Sequence, residues 1–148
     1  MKINNPLIVA LDVASFAEAE RLVRNLSGVV SLFKVGLQLF TQGGPRVVEM
    51  VHKQGCGVFL DLKFHDIPHT VARACEAAAG LGVSLLTLHA SGGRAMMETA
   101  ANVVRKKGCP LRLLGVTVLT SESATADTRL RVIDLAGQAK EAGLHGVV

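Results

Sequence analysis

The chain has 148 residues, of which 49% are hydrophobic and 19% charged, a composition typical of one soluble globular domain rather than a disordered segment. Its formal net charge of +4 is spread along the sequence and Trp and Tyr are absent, which argues against a nucleic-acid-binding protein. The chain has three cysteines, Cys56, Cys75 and Cys109, an odd number without CxxC spacing. We therefore predict no disulfide framework and no zinc site. A cytoplasmic protein is the corresponding expectation.

No segment predicts an export signal or a membrane span. The opening MKINNPLIVALD has a single lysine, and its apolar run ends at Asp12, too early for a secretory signal. The longest apolar runs, near 83–90 and 113–119, have the length of a strand. We therefore expect no membrane association.

Short apolar runs alternate with segments of helical periodicity about every 25 residues. The apolar runs predict strands at 6–12, 32–37, 57–64, 84–90, 111–120 and 146–148. Apolar residues at spacings of three and four predict helices at 16–26, 45–53, 67–81, 95–106 and 130–142. No linker divides this alternation, which predicts parallel strands in a single domain over residues 1–148.

Helix start and stop signals agree with these boundaries. Ser15 can cap the first helix, Pro45 suits a first helical turn, and Asp66 can cap the helix that has Pro68 near its start. A glycine falls where each helix should end before the next strand: Gly28, Gly55, Gly82, Gly108 and Gly143.

Polar residues near the carboxyl ends of the predicted strands distinguish two parallel architectures, an open doubly wound sheet and a closed (β/α)8 barrel. They are Asp12, Lys34, Asp61, Lys63, His89, Thr120 and Ser121. A barrel's catalytic face draws such groups from successive strands, whereas the turn after the first strand, LDVAS, lacks the glycines of a doubly wound nucleotide site. We predict an α/β fold of the TIM-type barrel class. Because a full barrel takes about 250 residues, we expect an incomplete one, with five to six of the eight β/α units and an end inside an element.

The stretch DLKFHDIPHT at 61–70 contains three charged residues, Asp61, Lys63 and Asp66, in a span of six residues that begins in an otherwise apolar strand. Side chains on a strand alternate between faces, so Asp61 and Lys63 should point the same way. Together with Lys34, these residues could form an alternating array of lysines and aspartates, since opposite charges about 4 Å apart attract by roughly 4 kcal/mol at an effective dielectric near 20. A catalytic site is one reading, and an ion-pair network that only closes the barrel is the other.

Five motifs resemble the orotidine 5′-phosphate decarboxylase family along the whole chain: ALD at 10–12, FKVG at 33–36, DLKFHDIPHT at 61–70, LHASGG at 88–93 and VTVLTS at 116–121. The resemblance implies conversion of orotidine 5′-phosphate to UMP and CO2 in pyrimidine biosynthesis, by a homodimer that uses no metal and no organic cofactor. It implies a small-molecule substrate and no nucleic-acid partner.

Matched position by position, the resemblance gives roles to the charged residues at the strand ends. It makes Lys63 the proton donor to C6 of the pyrimidine and Asp61 the carboxylate near the departing CO2. Lys34 is implied to orient Asp61 and to contact the ribose, which Asp12 also binds. Asp66 is implied to reach the neighbouring active site across the dimer interface.

The resemblance gives further roles to three hydroxyl residues. Thr70 is implied to lie beside Asp66 at the dimer interface, and Thr120 and Ser121 match the segment that meets the pyrimidine. His69 departs from the family's DIPNT form, in which Asn holds this place. We expect that change to be local and to leave the chemistry intact.

Two alternatives stay open beside this reading. Sugar-phosphate decarboxylases and synthases of the same superfamily share DxKxxD but use Mg²⁺; Ile67, Pro68 and Thr70 favour the nucleotide enzyme. The other alternative is an inactive fragment, because the family's phosphate-binding Arg, Gly and Gln groups come late in the barrel and we expect them to lie after Val148. His65 and His69 have an i, i+4 spacing but no evident third ligand, so we predict no metal site.

Overall fold

The computed structural model describes residues 7–148 and contains six strands, six α-helices and one short 3-10 turn in this range. The strands are β1 (Ile8–Ala10), β2 (Leu32–Gly36), β3 (Gly57–Phe64), β4 (Leu85–His89), β5 (Arg112–Val116) and β6 (Gly146–Val147). The helices are α1 (Phe16–Leu26), α2 (Leu37–Gly43), α3 (Pro45–Lys53), α4 (Pro68–Gly80), α5 (Arg94–Lys107) and α6 (Thr128–Glu141), and the 3-10 turn spans Ala90–Gly92. Residue 6, the first of the predicted β1 run, lies outside the described residues.

The six strands form one sheet in chain order, from β1 to β6. The pairs β1 with β2, β2 with β3 and β5 with β6 are parallel. A doubly wound sheet would reverse its strand order at the switch point, whereas a barrel adds each strand beside the last. The predicted fold class, an incomplete TIM-type barrel, is therefore confirmed.

Several local signals act as the sequence predicts. Ser15 caps α1, since its Oγ accepts a hydrogen bond of 3.2 Å from the Glu18 N–H, and Pro45 opens α3. Gly108 ends α5 in the left-handed conformation, with a φ of 61°, and its N–H donates to the Arg105 carbonyl. Glycine adopts this conformation without the steric cost that a Cβ atom imposes.

Several predicted boundaries differ from the observed ones, among them the ends of β1, β2 and β5; β1 ends at Ala10 instead of residue 12. The run at 32–37 predicts a strand throughout, but the chain turns at Gly36 into α2, a helix of seven residues in which only Leu39 is buried. So short a helix leaves too few apolar positions to show a period. The predicted strand at 111–120 ends at Val116, so Thr120 and Ser121 lie in a turn beyond β5.

The described residues fall into two compact units. The first contains the chain up to Leu62 together with Gly80–Leu85. In it, α3 packs against α1, α2 and β2. Its core is formed by buried apolar side chains, among them Val23, Phe33, Val35, Val47, Val51, Val58 and Leu60.

The second unit contains Lys63–Ala79 and Leu86–Val148. Its core includes Val71, Cys75, Leu88, Met96, Met97, Leu113 and Leu135, and α5 packs against α6. The single domain over residues 1–148 stays a prediction. Within residues 7–148, no helix has the length and apolar character needed to cross a membrane.

Candidate active site

Lys34 lies between two carboxylates in the first unit. Its Nζ atom is 3.4 Å from Asp12 Oδ2 and 3.8 Å from Asp61 Oδ2. The Lys34 side chain is 25% exposed, that of Asp12 66% and that of Asp61 13%. One ammonium group therefore compensates a solvated carboxylate and a largely enclosed one; we call these three residues the Lys34 cluster.

Strand pairing positions the Lys34 cluster. Ala10 is in register with Lys34, and the N–H of Leu11 donates a 2.9 Å hydrogen bond to the Lys34 carbonyl, which holds the residues just before Asp12 against β2. On the other side of β2, Gly36 is in register with Asp61. Parallel pairing thus brings together a charge that follows β1 and one charge each from β2 and β3, although the three residues are far apart in sequence.

Lys63 is held differently, by an unusual backbone. Its φ is 51°, in the left-handed region, and its N–H donates a 2.9 Å hydrogen bond to Oγ1 of Thr87, a fully buried residue of β4. The prediction that Asp61 and Lys63 share a face assumed extended backbone at every residue. The φ of Lys63 removes that basis, because alternation holds only for extended residues.

Two histidines of the second unit lie close together after β3 and at the end of β4. The ring centroids of His65 and His89 are 5.2 Å apart, with the rings tilted by 36°. Burial lowers the pKa of His89, and the nearby His65 and Lys63 lower it further, while Glu122 opposes them. His89 is therefore biased towards its neutral form.

The remaining predicted site residues of the second unit are exposed: Asp66, Thr70, Thr120 and Ser121. Oδ1 of Asp66 accepts a 2.6 Å hydrogen bond from the N–H of Ile67, the residue before α4. Because an N-cap side chain accepts from an N–H inside the helix, this bond does not establish the predicted capping role. Thr120 and Ser121 begin a loop in which Glu122 forms a 3.0 Å ion pair with Arg131 of α6.

Sequence reasoning did not find Thr87. Threonine is an ordinary strand residue, and nothing in the run LLTLH distinguishes its hydroxyl from that of any other buried threonine.

Across residues 7–148, no group of three or more His, Cys, Asp or Glu side chains is arranged to hold a metal ion.

The family model for the orotidine 5′-phosphate decarboxylase / HUMPS family matches residues 5–148. The orotidine 5′-phosphate decarboxylase of Syntrophotalea carbinolica is 52% identical, over 96% of this chain and 64% of its own length. That of Neisseria meningitidis serogroup C is 48% identical, over 97% of this chain and 61% of its own length. The chain thus spans less than two thirds of these curated relatives.

Solved structures give the same relationship. A crystal structure of orotidine 5′-phosphate decarboxylase from Lactobacillus acidophilus has a TM-score of 0.82 and 36% identity, covering 97% of this chain and 70% of the other. A structure described as an uncharacterized conserved protein from Geobacillus kaustophilus has a TM-score of 0.85 and 41% identity, covering 96% and 72%. With its fold, its strand-end charges and its relatives in agreement, this chain belongs to the orotidine 5′-phosphate decarboxylase / HUMPS family.

Proposed function

We propose that the protein decarboxylates orotidine 5′-phosphate to UMP and CO2 in pyrimidine biosynthesis. The observation that carries the proposal is the Lys34 cluster, in which one ammonium group holds the enclosed carboxylate of Asp61. Lys63, two residues after Asp61 in the sequence, would supply a second ammonium group for the chemistry. The names of the curated relatives support this substrate.

The proposed reaction requires a cation where negative charge develops. The bond between C6 and the carboxylate breaks, its electron pair stays on C6, and CO2 departs. The Lys63 ammonium stabilises that charge and donates a proton to C6, forming the new C–H bond and leaving a neutral amine that takes a proton from solvent. No metal or organic cofactor takes part in this scheme.

The other residues of the proposal bind and orient the substrate. Asp61 stands beside the carboxylate that leaves, and Lys34 orients Asp61 and binds the ribose together with Asp12. Repulsion between Asp61 and the substrate carboxylate raises the rate of decarboxylation only to the extent that the repulsion is relieved in the transition state.

The proposal extends to the exposed residues of the second unit. Thr120 and Ser121 meet the pyrimidine, and Asp66 with Thr70 reaches the active site of a second copy in a homodimer. The exposure of all four residues leaves them open to such partners. We place the reaction in the cytoplasm.

The test uses residues 1–148 joined to the part of the Syntrophotalea carbinolica relative that the match does not cover, hereafter the completed chain. We expect it to convert orotidine 5′-phosphate to UMP, followed by absorbance and by product chromatography. Lys63→Ala should abolish turnover, whereas Lys106→Ala, at an exposed lysine near the end of α5, should not. Undiminished turnover by Lys63→Ala would refute the proposal.

The same material tests the alternatives. If the completed chain acts on a ketose phosphate only with magnesium and does not act on orotidine 5′-phosphate, the substrate is a sugar phosphate and not the nucleotide. We expect residues 1–148 alone to be inactive, because the relatives are longer than the matched region. Turnover by the 148-residue chain would contradict that expectation.

A further inference from the structure

Lys63 has a backbone conformation that costs energy. Of the residues from 7 to 148, it is the one non-glycine residue with a positive φ, at 51°. For an L-residue the left-handed region costs roughly 1–2 kcal/mol, and strained residues of this kind persist only where their surroundings enforce them. The question is therefore which group enforces the conformation at Lys63.

The hydroxyl of Thr87 is the group that meets the strained backbone. The Lys63 N–H donates to Thr87 Oγ1 over 2.9 Å, so a side chain of the neighbouring strand accepts this bond. Thr87 is fully buried, and Leu86 and Leu88 on either side of it are fully buried as well. A threonine on such a strand has little freedom at χ1, so its oxygen is a fixed acceptor.

The hydrogen bond is part-buried and its acceptor residue is fully buried, so its loss costs free energy. If the hydroxyl were removed, the Lys63 N–H would have to find another partner or lose a bond worth about 1 kcal/mol or more. Relaxing φ towards the extended region is the direct route to another partner. That relaxation would turn the Cα–Cβ bond of Lys63 and carry its side chain to a different direction.

We propose that Thr87 is a positioning residue, whose hydroxyl holds Lys63 in the left-handed conformation and so sets where its ammonium group lies. The role in catalysis rests on the proposed function, whereas the role in holding the backbone does not. Thr87 sets the direction of the lysine side chain and does not itself contact the substrate. Displacements of about 1 Å can cost a catalytic group about 100-fold in rate.

The first measurement is the kinetics of the completed chain. Thr87→Val removes the hydroxyl and keeps the shape, and we expect kcat to fall about 10- to 100-fold with KM changed less than about threefold. Thr87→Ser should retain most of the kcat. Thr117→Val is the matched control, since Thr117 is also buried and its hydroxyl donates to the Val148 carbonyl; it should leave kcat unchanged.

The second measurement is amide hydrogen exchange at Lys63, which needs no activity. The Lys63 N–H should be protected in the unsubstituted chain and in Thr87→Ser, and should exchange at least about tenfold faster in Thr87→Val, since an opening free energy lower by about 1.4 kcal/mol is a tenfold change. If Thr87→Val fails to fold, comparing Thr87→Ser with Thr87→Ala isolates the hydroxyl in the same way.

The outcomes separate the two proposals. Absence of UMP formation by the unsubstituted completed chain would count against the proposed function alone. Unchanged Lys63 protection on loss of the Thr87 hydroxyl would overturn the positioning role, with or without activity. A wild-type kcat in Thr87→Val, in a completed chain that makes UMP, would overturn it too.

Discussion

Nζ of Lys34 lies 3.8 Å from Oδ2 of Asp61, where only 13% of the aspartate side chain remains exposed. The same ammonium group is closer to Asp12, at 3.4 Å, but that carboxylate is 66% exposed. Distance and burial therefore rank the two ion pairs in opposite orders. Burial should determine which ion pair stabilises the fold more, because solvent screens an exposed pair strongly and an enclosed pair much less.

A double-mutant cycle on each pair tests this ranking. Using alanine substitutions at Lys34, Asp12 and Asp61 in the completed chain, we expect a coupling free energy of about 1–2 kcal/mol for Lys34 with Asp61 and below about 0.5 kcal/mol for Lys34 with Asp12. The measurement is the free energy of unfolding in urea. Equal couplings, or a larger one for Asp12, would show that distance outweighs burial here.

The left-handed backbone of Lys63 predicts an unusual effect of glycine. Lys63→Gly and Lys63→Ala both remove the ammonium group, but only alanine keeps a Cβ atom at a φ of 51°. We expect the glycine variant to be the more stable by about 1 kcal/mol in urea unfolding. Position 34, in the body of β2, is the matched control, and there alanine should be more stable than glycine. The same sign at both positions would contradict the strain at Lys63.

Sequence patterns predict best the helices and strands that begin at a proline or a glycine. Helix α3, opened by Pro45, and strand β3, opened by Gly57, have the predicted bounds. The sequence does not predict helix α2, because Leu37 continues the apolar run of β2 and a seven-residue helix shows no clear period. The end of β5 was misplaced because LRLLGVTVLT stays apolar beyond the last paired residue.

The site divides in a similar way. Charged residues in apolar strands are conspicuous, so Asp12, Lys34 and Asp61 were candidates before their contacts were known. The sequence does not indicate the left-handed conformation of Lys63, because no glycine stands at this position. Its hydrogen bond to Thr87 could not be predicted either, because the contact depends on strand pairing. Catalytic roles for these residues stay predictions, because distances between side chains do not report turnover.

The three thiols should differ in reactivity. Burial raises the pKa of the Cys75 thiol to about 12 and raises the pKa of the Cys56 thiol as well, and both residues are buried, whereas Cys109 is only half-buried. Since the thiolate is the nucleophile, iodoacetamide at pH 8 should label Cys109 first and Cys75 last, as read by peptide mass spectrometry. In denaturant the three rates should converge. Early labelling of Cys75 in the folded chain would contradict its burial.

His89 should titrate below the ordinary histidine range. Burial lowers its pKa, and the positive charge of Lys63 adds to the effect of the neighbouring His65. In NMR titrations of the completed chain, Lys63→Met should therefore raise the pKa of His89, and Glu122→Gln should lower it further.

The lowered pKa of His89 also sets the sign of its effect on stability. In the unfolded chain the histidine takes up a proton near its ordinary pKa of 6.5, whereas in the folded chain it does so only at lower pH. The unfolded state thus binds more protons as the pH falls through 6.5, so this contribution to the free energy of unfolding is complete above that pH and is lost below it. Replacing His89 with Gln should flatten the pH dependence of urea unfolding between about pH 7 and 5. An unchanged slope would mean that His89 is protonated equally easily in both states.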